Sequence, residues 1–283
     1  MNNQFGEVDN ENFLWQNGEE VEVLTISATH DRLRAGFWLG DGVFETLLFE
    51  NGKYFALNRH RTRLIAAEKK IGIYQEEVFD QKWKLIESGL ASAGLWLQDR
   101  IGQVRITTLS DDQIFITAKI HQIPVAPLRI GIYPFPFNER SNFSGVKTIS
   151  YGQNVQVLRY AKEQGFDDLL LLNSRDEIVE SALANFIAFD GKKWVTPHLD
   201  SGALAGITRE LLIEFFQLEP VTLTLTDLAA MKEMALISSL RDIQAISYLE
   251  GISAFEASSY KTPSEVGKLN SNFQSWRRGN SNP

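Results

Sequence analysis

Residues 121–145 read HQIPVAPLRIGIYPFPFNERSNFSG and hold four of the chain's eight prolines. A proline donates no backbone hydrogen bond and biases the residue before it away from the helix. Neither one long helix nor a central strand can run through such a stretch. It reads as a linker, one strand and a loop, dividing the chain into a small N-terminal domain, 1–122, and a larger C-terminal one, 123–283. A chain of 283 residues is long enough for both.

On either side, strand and helix signals are mixed. In VFETLLFENGKYFAL (43–57) two apolar runs flank Asn51-Gly52, a dipeptide suited to a two-residue hairpin. RHRTRLIAAEKKIG (59–72) spaces Leu64, Ala67 and Ile71 along one helix face and stops at Gly72. A second helix is predicted over 79–93, then a strand pair near 101–108 and 113–119. Beyond the proline-rich segment, a helix over 151–164 stops at Gly165, and DDLLLLN, EIVES, ANFIAFD and KWVTP read as strands. LAGITRELLIEFFQL reads as a helix, and PVTLTLT, EMALISS and IQAISYL as strands. The polar tail from 257 holds a helix over 263–277. The fold class is α+β, with two α/β domains.

Composition removes whole classes of function. A net charge of −8 disfavours nucleic acid as the main partner. An anionic small molecule stays admissible, because a pocket can be basic inside an acidic protein. The chain has no cysteine, so disulfides and thiolate chemistry are out. His30, His60, His121 and His198 are scattered without metal-ligand spacing, so no metal is expected. Serine-hydrolase elbows, Walker loops and G-x-G-x-x-G turns are missing too. No apolar run approaches membrane-spanning length, and the acidic start MNNQFGEVDNENF is not a secretory signal, which points to the cytoplasm.

Four short stretches then stand out. In GVKTISYGQN, Lys147 lies between apolar neighbours just before a helix start. A lysine that forms an imine must be partly buried, since desolvation favours its neutral, nucleophilic form. The plain alternative is a lysine snorkelling beside a strand. In IVESALANFIAF, Glu180 is the one charge in an apolar run, so a cation should face it. That cation is either a protonated pyridine nitrogen or a nearby lysine or arginine. In ALAGITREL, Gly206 precedes Ile207 and Thr208 at a helix start whose open N–H groups suit a phosphate, or simply begin a helix. In NRHRTRL, an arginine could grip a phosphate with two bonds, or belong to a solvated basic face.

Taken in order, Gly40-Asp41-Gly42-Val43-Phe44-Glu45-Thr46, His60 to Arg63-Leu64, Lys147 to Tyr151, Glu180 with Asn185 and Phe186, Thr196-Pro197, and Gly202 to Arg209 form one pattern. It resembles the class IV (fold-type IV) pyridoxal-phosphate enzymes over residues 31 to 245, most of the chain. That family includes branched-chain and D-amino-acid aminotransferases and aminodeoxychorismate lyases. The resemblance implies a fold-type IV architecture with the pyridoxal 5'-phosphate site at the domain junction, and a homodimer. Lys147 becomes the Schiff-base lysine and proton carrier, and Glu180 the partner of the pyridine nitrogen. Tyr151 falls near the cofactor's phenolic oxygen. Arg63, Ile207, Thr208 and Ser239 hold the phosphate.

Within the family, D-amino-acid aminotransferases carry a basic R-x-H trap for the substrate carboxylate where this chain has TTLSDDQIF (107–115). That loop is acidic here and contains no arginine or histidine, which leaves Arg105 or Arg241 to take the role. ISSLRDIQAI (237–246) is similar to the lyase pattern N-S-L-R-G-I-x-P-V, without its glycine and proline. The favoured expectation is an aminodeoxychorismate lyase, which eliminates pyruvate to give 4-aminobenzoate for folate. The alternatives are an aminotransferase for branched-chain or D-amino acids, and a degenerate member that only binds the cofactor.

Overall fold

The computed structural model describes residues 12–20, 35–252, 264–280 and 282–283. The start of the tail, from 257 to 263, and the first residues of the family resemblance, 31–34, lie outside the described residues. Two compact units emerge: Met1–Gln122 with Lys147–Ser150 and Ser281–Pro283, and Ile123–Val146 with Tyr151–Asn280.

The first unit holds β1 (Asn12–Gln16), β2 (Glu19–Glu20), α1 (Ala35–Leu39), β3 (Gly42–Glu50), β4 (Lys53–Tyr54), α2 (Leu57–Ile71), α3 (Glu76–Leu97), β5 (Gly102–Leu109) and β6 (Ile114–Ile120). Its strands form one antiparallel sheet in the order β2-β1-β6-β5-β3-β4. Asn51 and Gly52 both take positive φ, 54° and 74°, so the β3–β4 turn has the twist a two-residue hairpin needs. The apolar faces of α2 and α3 bury Leu64, Trp83, Ile86 and Leu90.

Lys147 is not part of the C-terminal unit, in contrast to the reading from sequence. Its carbonyl accepts from Phe44 N at 2.8 Å, and Ile149 N donates to Gly42 O at 3.0 Å. Thr148 Oγ1 also donates to Gly42 O at 3.0 Å. A short extended segment thus adds to the start of β3, and backbone pairing outweighs position in the chain. Gly42 is required there, because a Cβ would lie 2.5 Å from Thr108 O.

The second unit comprises β7 (Leu128–Ile132), α4 (Gly152–Glu163), β8 (Asp168–Leu172), β9 (Ile178–Ser181), β10 (Asn185–Phe189), β11 (Trp194–Pro197), α5 (Ile207–Phe216), β12 (Glu219–Val221), α6 (Leu225–Leu228), β13 (Glu233–Ser238), β14 (Asp242–Leu249) and α7 (Glu265–Gly279). Its sheet runs β12-β11-β10-β13-β14-β7-β8-β9. Leu170, Phe186, Leu236 and Ile246 are at its core.

Two expectations change. PVTLTLT is only partly a strand: β12 ends at Val221, and Thr224 and Asp227 form a capping box that opens α6. The tail helix packs on the sheet, with Phe273 fully buried. Glu233 accepts from Glu265 N and Val266 N at its start, and Arg277 pairs with buried Asp242 at 3.2 Å near its end.

Candidate active site

Successive side chains of a strand point to opposite faces, so β3 sends Phe44 one way and Glu45 the other. On the Phe44 side two cations meet one ring: Lys147 Nζ lies 4.3 Å from its centroid and the Arg105 guanidinium 3.6 Å. Arg105 also donates to Thr107 Oγ1 at 3.1 Å. Cross-strand register explains the meeting, because Thr46 faces Arg105 and Phe44 faces Thr107. Lys147 is half-buried.

On the other side, Glu45 is enclosed by two residues of α2 three positions apart. Arg63 donates from Nε to Oε1 at 2.8 Å and from Nη2 to Oε2 at 2.5 Å. His60 Nδ1 lies 2.7 Å from Oε2. Burial alone would raise the pKa of Glu45, but the Arg63 charge and the hydrogen bonds of Arg63 and His60 hold it at about 2. Burial lowers the pKa of His60; Glu45 opposes this, and the Arg63 and Lys147 charges add to the lowering. The imidazole is therefore neutral at pH 7, and the guanidinium is fixed by a carboxylate.

Because the folded pKa of Glu45 lies below its ordinary 4.5, its contribution to stability is complete above that value. The contribution is lost as pH falls towards about 2. Glu45→Gln should destabilise the protein by about 3 kcal/mol at pH 7, since it leaves Arg63 without its counter-charge. Denaturant titrations at neutral and acidic pH should show the deficit shrinking between pH 4.5 and 2. An unchanged deficit across that window would place the acid sensitivity elsewhere.

In the second unit, Glu180 is half-buried on β9. Asn185 Nδ2 donates to its Oε2 at 2.8 Å and Leu204 N to its Oε1 at 3.2 Å. Burial lowers the pKa of Arg209, and the Glu180 charge opposes that shift. Its guanidinium donates to Pro197 O at 2.9 Å. Nearby, α5 begins at Ile207 with Gly206 as an N-cap that offers no side-chain acceptor. Its first N–H groups are left without a side-chain cap, the condition under which helix starts take anions. Thr208 Oγ1 is buried and meets no protein partner.

The remaining residues singled out from sequence are also located. Tyr151 is the N-cap of α4, and its hydroxyl donates to Ala182 O at 3.1 Å. Ser239 lies in the turn between β13 and β14. Arg241 donates to Gln244 Oε1 at 3.0 Å, and burial lowers its pKa while Asp168 and Asp167 oppose the shift. Of the two substrate candidates, Arg105 lies in the same unit as Lys147 and shares the Phe44 ring with it. Sequence reading gave no role to Glu45, His60 or Asn185. Each was nonetheless signalled by a polar residue in an apolar setting: an acid in VFETLLF, a histidine one turn before Arg63, an amide opening NFIAF. Among the described residues no cluster could hold a metal ion, and no helix is long and apolar enough to cross a membrane.

Comparison with known proteins follows the same lines. The chain is 26% identical to a D-alanine aminotransferase of Listeria monocytogenes over 256 residues, covering 80% of this chain and 84% of that one. It is 30% identical to an aminodeoxychorismate lyase of Vibrio harveyi over 160 residues, 54% of each chain. A branched-chain amino acid aminotransferase of Thermobaculum terrenum, solved in its PLP form, has the same fold. It superposes with a TM-score of 0.78 over 95% of both chains at 17% identity. The family model of amino-transferase class IV matches residues 42–249. The chain therefore belongs to the class IV aminotransferases, and is an enzyme of that pyridoxal-phosphate-dependent class.

Proposed function

We propose that the protein is a pyridoxal-phosphate-dependent lyase that converts 4-amino-4-deoxychorismate to 4-aminobenzoate and pyruvate. The residues present fit the cofactor: an orphaned buried hydroxyl on Thr208 beside an uncapped helix start, and a fixed arginine, Arg63. Arg63, Ser239, Thr208 and the N–H groups of Ile207 and Thr208 bind the phosphate. Glu180 would accept a hydrogen bond from the protonated ring nitrogen, and Tyr151 would lie by the phenolic oxygen. Bound, the cofactor supplies an aldehyde for amine capture and a cationic ring that draws electrons from the adjoining carbon. Lys147 would hold the cofactor and, once free of it, would take the proton from the carbon bearing the substrate amine. Those electrons complete the aromatic ring as the ether C–O bond breaks, and pyruvate departs as its enol.

One observation carries the choice of a lyase. The β5–β6 turn offers no base for a carboxylate next to the amine. Its Asp111 is committed to Gly36 N and Gln113 Nε2, each at 3.3 Å. Arg105 shares the Phe44 ring with Lys147 and would meet a carboxylate of the substrate. The second reading, a D- or branched-chain aminotransferase, is favoured by the D-alanine aminotransferase relative, which covers four-fifths of the chain. Incubation with 4-amino-4-deoxychorismate and no amino acceptor distinguishes them. The lyase releases 4-aminobenzoate and pyruvate. No product, with rapid amination of the cofactor by a D- or branched-chain amino acid, selects the aminotransferase. A cytoplasmic homodimer of the 32.0 kDa chain completes the proposal, and light scattering measures the assembly.

The Arg63 assignment has its own test. Arg63→Ala should weaken cofactor retention by about 10- to 100-fold, the loss of charge-assisted hydrogen bonds. Turnover at saturating cofactor should change far less, because the phosphate does not change during the chemistry. Failure of excess pyridoxal phosphate to restore activity would remove Arg63 from the phosphate.

A further inference from the structure

Asn185, at the start of β10, is buried, and its amide is used twice over. Nδ2 donates to Glu180 Oε2 at 2.8 Å and to Leu204 O at 2.9 Å. Leu204 N in turn donates to Glu180 Oε1 at 3.2 Å, so carboxylate, amide and the backbone at 204 form one closed set. The other end of the amide meets Gly206. A Cβ built there would lie 1.9 Å from Asn185 Oδ1. Gly206 has a φ of −71°, which any residue adopts, so its lack of a side chain answers to space and not to backbone conformation. Gly206 is the N-cap of α5, so this amide separates Glu180 from the helix start that Thr208 shares.

We infer that Asn185 is a positioning residue that ties the carboxylate at the cofactor's ring nitrogen to the turn that binds its phosphate. This rests on the assignment of Glu180 and Thr208 above. A neutral amide suits the role: it orients Glu180 without neutralising it, whereas a lysine or arginine at 185 would compete with the ring for the carboxylate. By holding Leu204 at both N–H and C=O, directly and through Glu180, the same amide fixes the path by which the chain enters α5. The distance between the two anchor points of the cofactor is then set by one side chain.

The test uses the holoenzyme and reads pyridoxal-phosphate affinity, the pH dependence of its bound absorption band, and turnover. Asn185→Ala should weaken cofactor binding about ten-fold, the loss of hydrogen bonds to a charged group. It should also lower kcat, but not further when added to Glu180→Gln, because it acts through that carboxylate. Gly206→Ala should weaken binding more than ten-fold on its own, and Asn185→Ala/Gly206→Ala should bind no worse than Asn185→Ala alone. If Asn185→Ala does not fold, Asn185→Asp keeps the shape and puts a second carboxylate against Glu180. One proton is then shared, and the absorption band should become pH-dependent through the neutral range. A merely structural residue would lower yield and Tm and leave the band and the affinity of the folded protein unchanged, which overturns the inference. Glu180→Gln impaired with both Asn185 variants like wild type overturns the inference alone. Glu180→Gln at the wild-type rate overturns the Glu180 assignment and the inference with it.

Discussion

Lys147→Ala is expected to abolish turnover, a loss of at least about 10⁴-fold, while the protein still folds. The side chain is asked to serve as both covalent anchor and proton carrier, and general base catalysis alone contributes about 10²–10⁴-fold. What attaches residue 147 to β3 is its backbone: Phe44 N donates to Lys147 O and Ile149 N to Gly42 O. Alanine preserves both bonds and gives up a cation over the Phe44 ring, worth about 0.5–2 kcal/mol. Circular dichroism and Tm should therefore stay near wild type while the visible absorption of the lysine-bound cofactor disappears. A variant that turns over at more than a few per cent of the wild-type rate would remove Lys147 from the chemistry.

Glu180→Gln should retain the cofactor and lose most activity. A carboxylate about 4 Å from a cation stabilises it by about 4 kcal/mol at an effective dielectric near 20. That corresponds to about three pKa units, enough to keep a pyridine ring protonated at neutral pH. Glutamine keeps the size of the side chain and one acceptor oxygen for Leu204 N or Asn185 Nδ2, so it removes the charge and one of these two hydrogen bonds. The expected fall in kcat is about 10³-fold. Rates within a few-fold of wild type would leave Glu180 a structural role in the loop at 204.

Much of this was readable from the amino-acid order because the informative contacts are local. The Asn51-Gly52 turn, the Gly72 and Gly165 helix stops and the Gly206 helix start each depend on neighbours in sequence. Long-range pairing was not readable. Lys147 follows the proline-rich segment and so reads as C-terminal, yet its hydrogen bonds reach back to Gly42 and Phe44. Glu45 looked like one acid in a strand until α2 brought His60 and Arg63 to it. The alternating TLTLT of residues 222–226 signals a strand as strongly as any in the chain, but Thr224 and Asp227 satisfy each other's backbone and open a helix instead. Arg105 and Arg241 were indistinguishable by type; their surroundings separate them, an aromatic ring shared with Lys147 for one and Gln244 with the Asp168 charge for the other.

The assignment on which everything else depends is that Lys147 carries the cofactor. Borohydride reduction of the holoenzyme, followed by proteolysis and mass spectrometry, reads it directly. The added mass of reduced pyridoxal phosphate should appear on the peptide containing Lys147 and disappear from the Lys147→Ala variant. Recovery of that mass on Lys162 or Lys192 would contradict the assignment and every role derived from it.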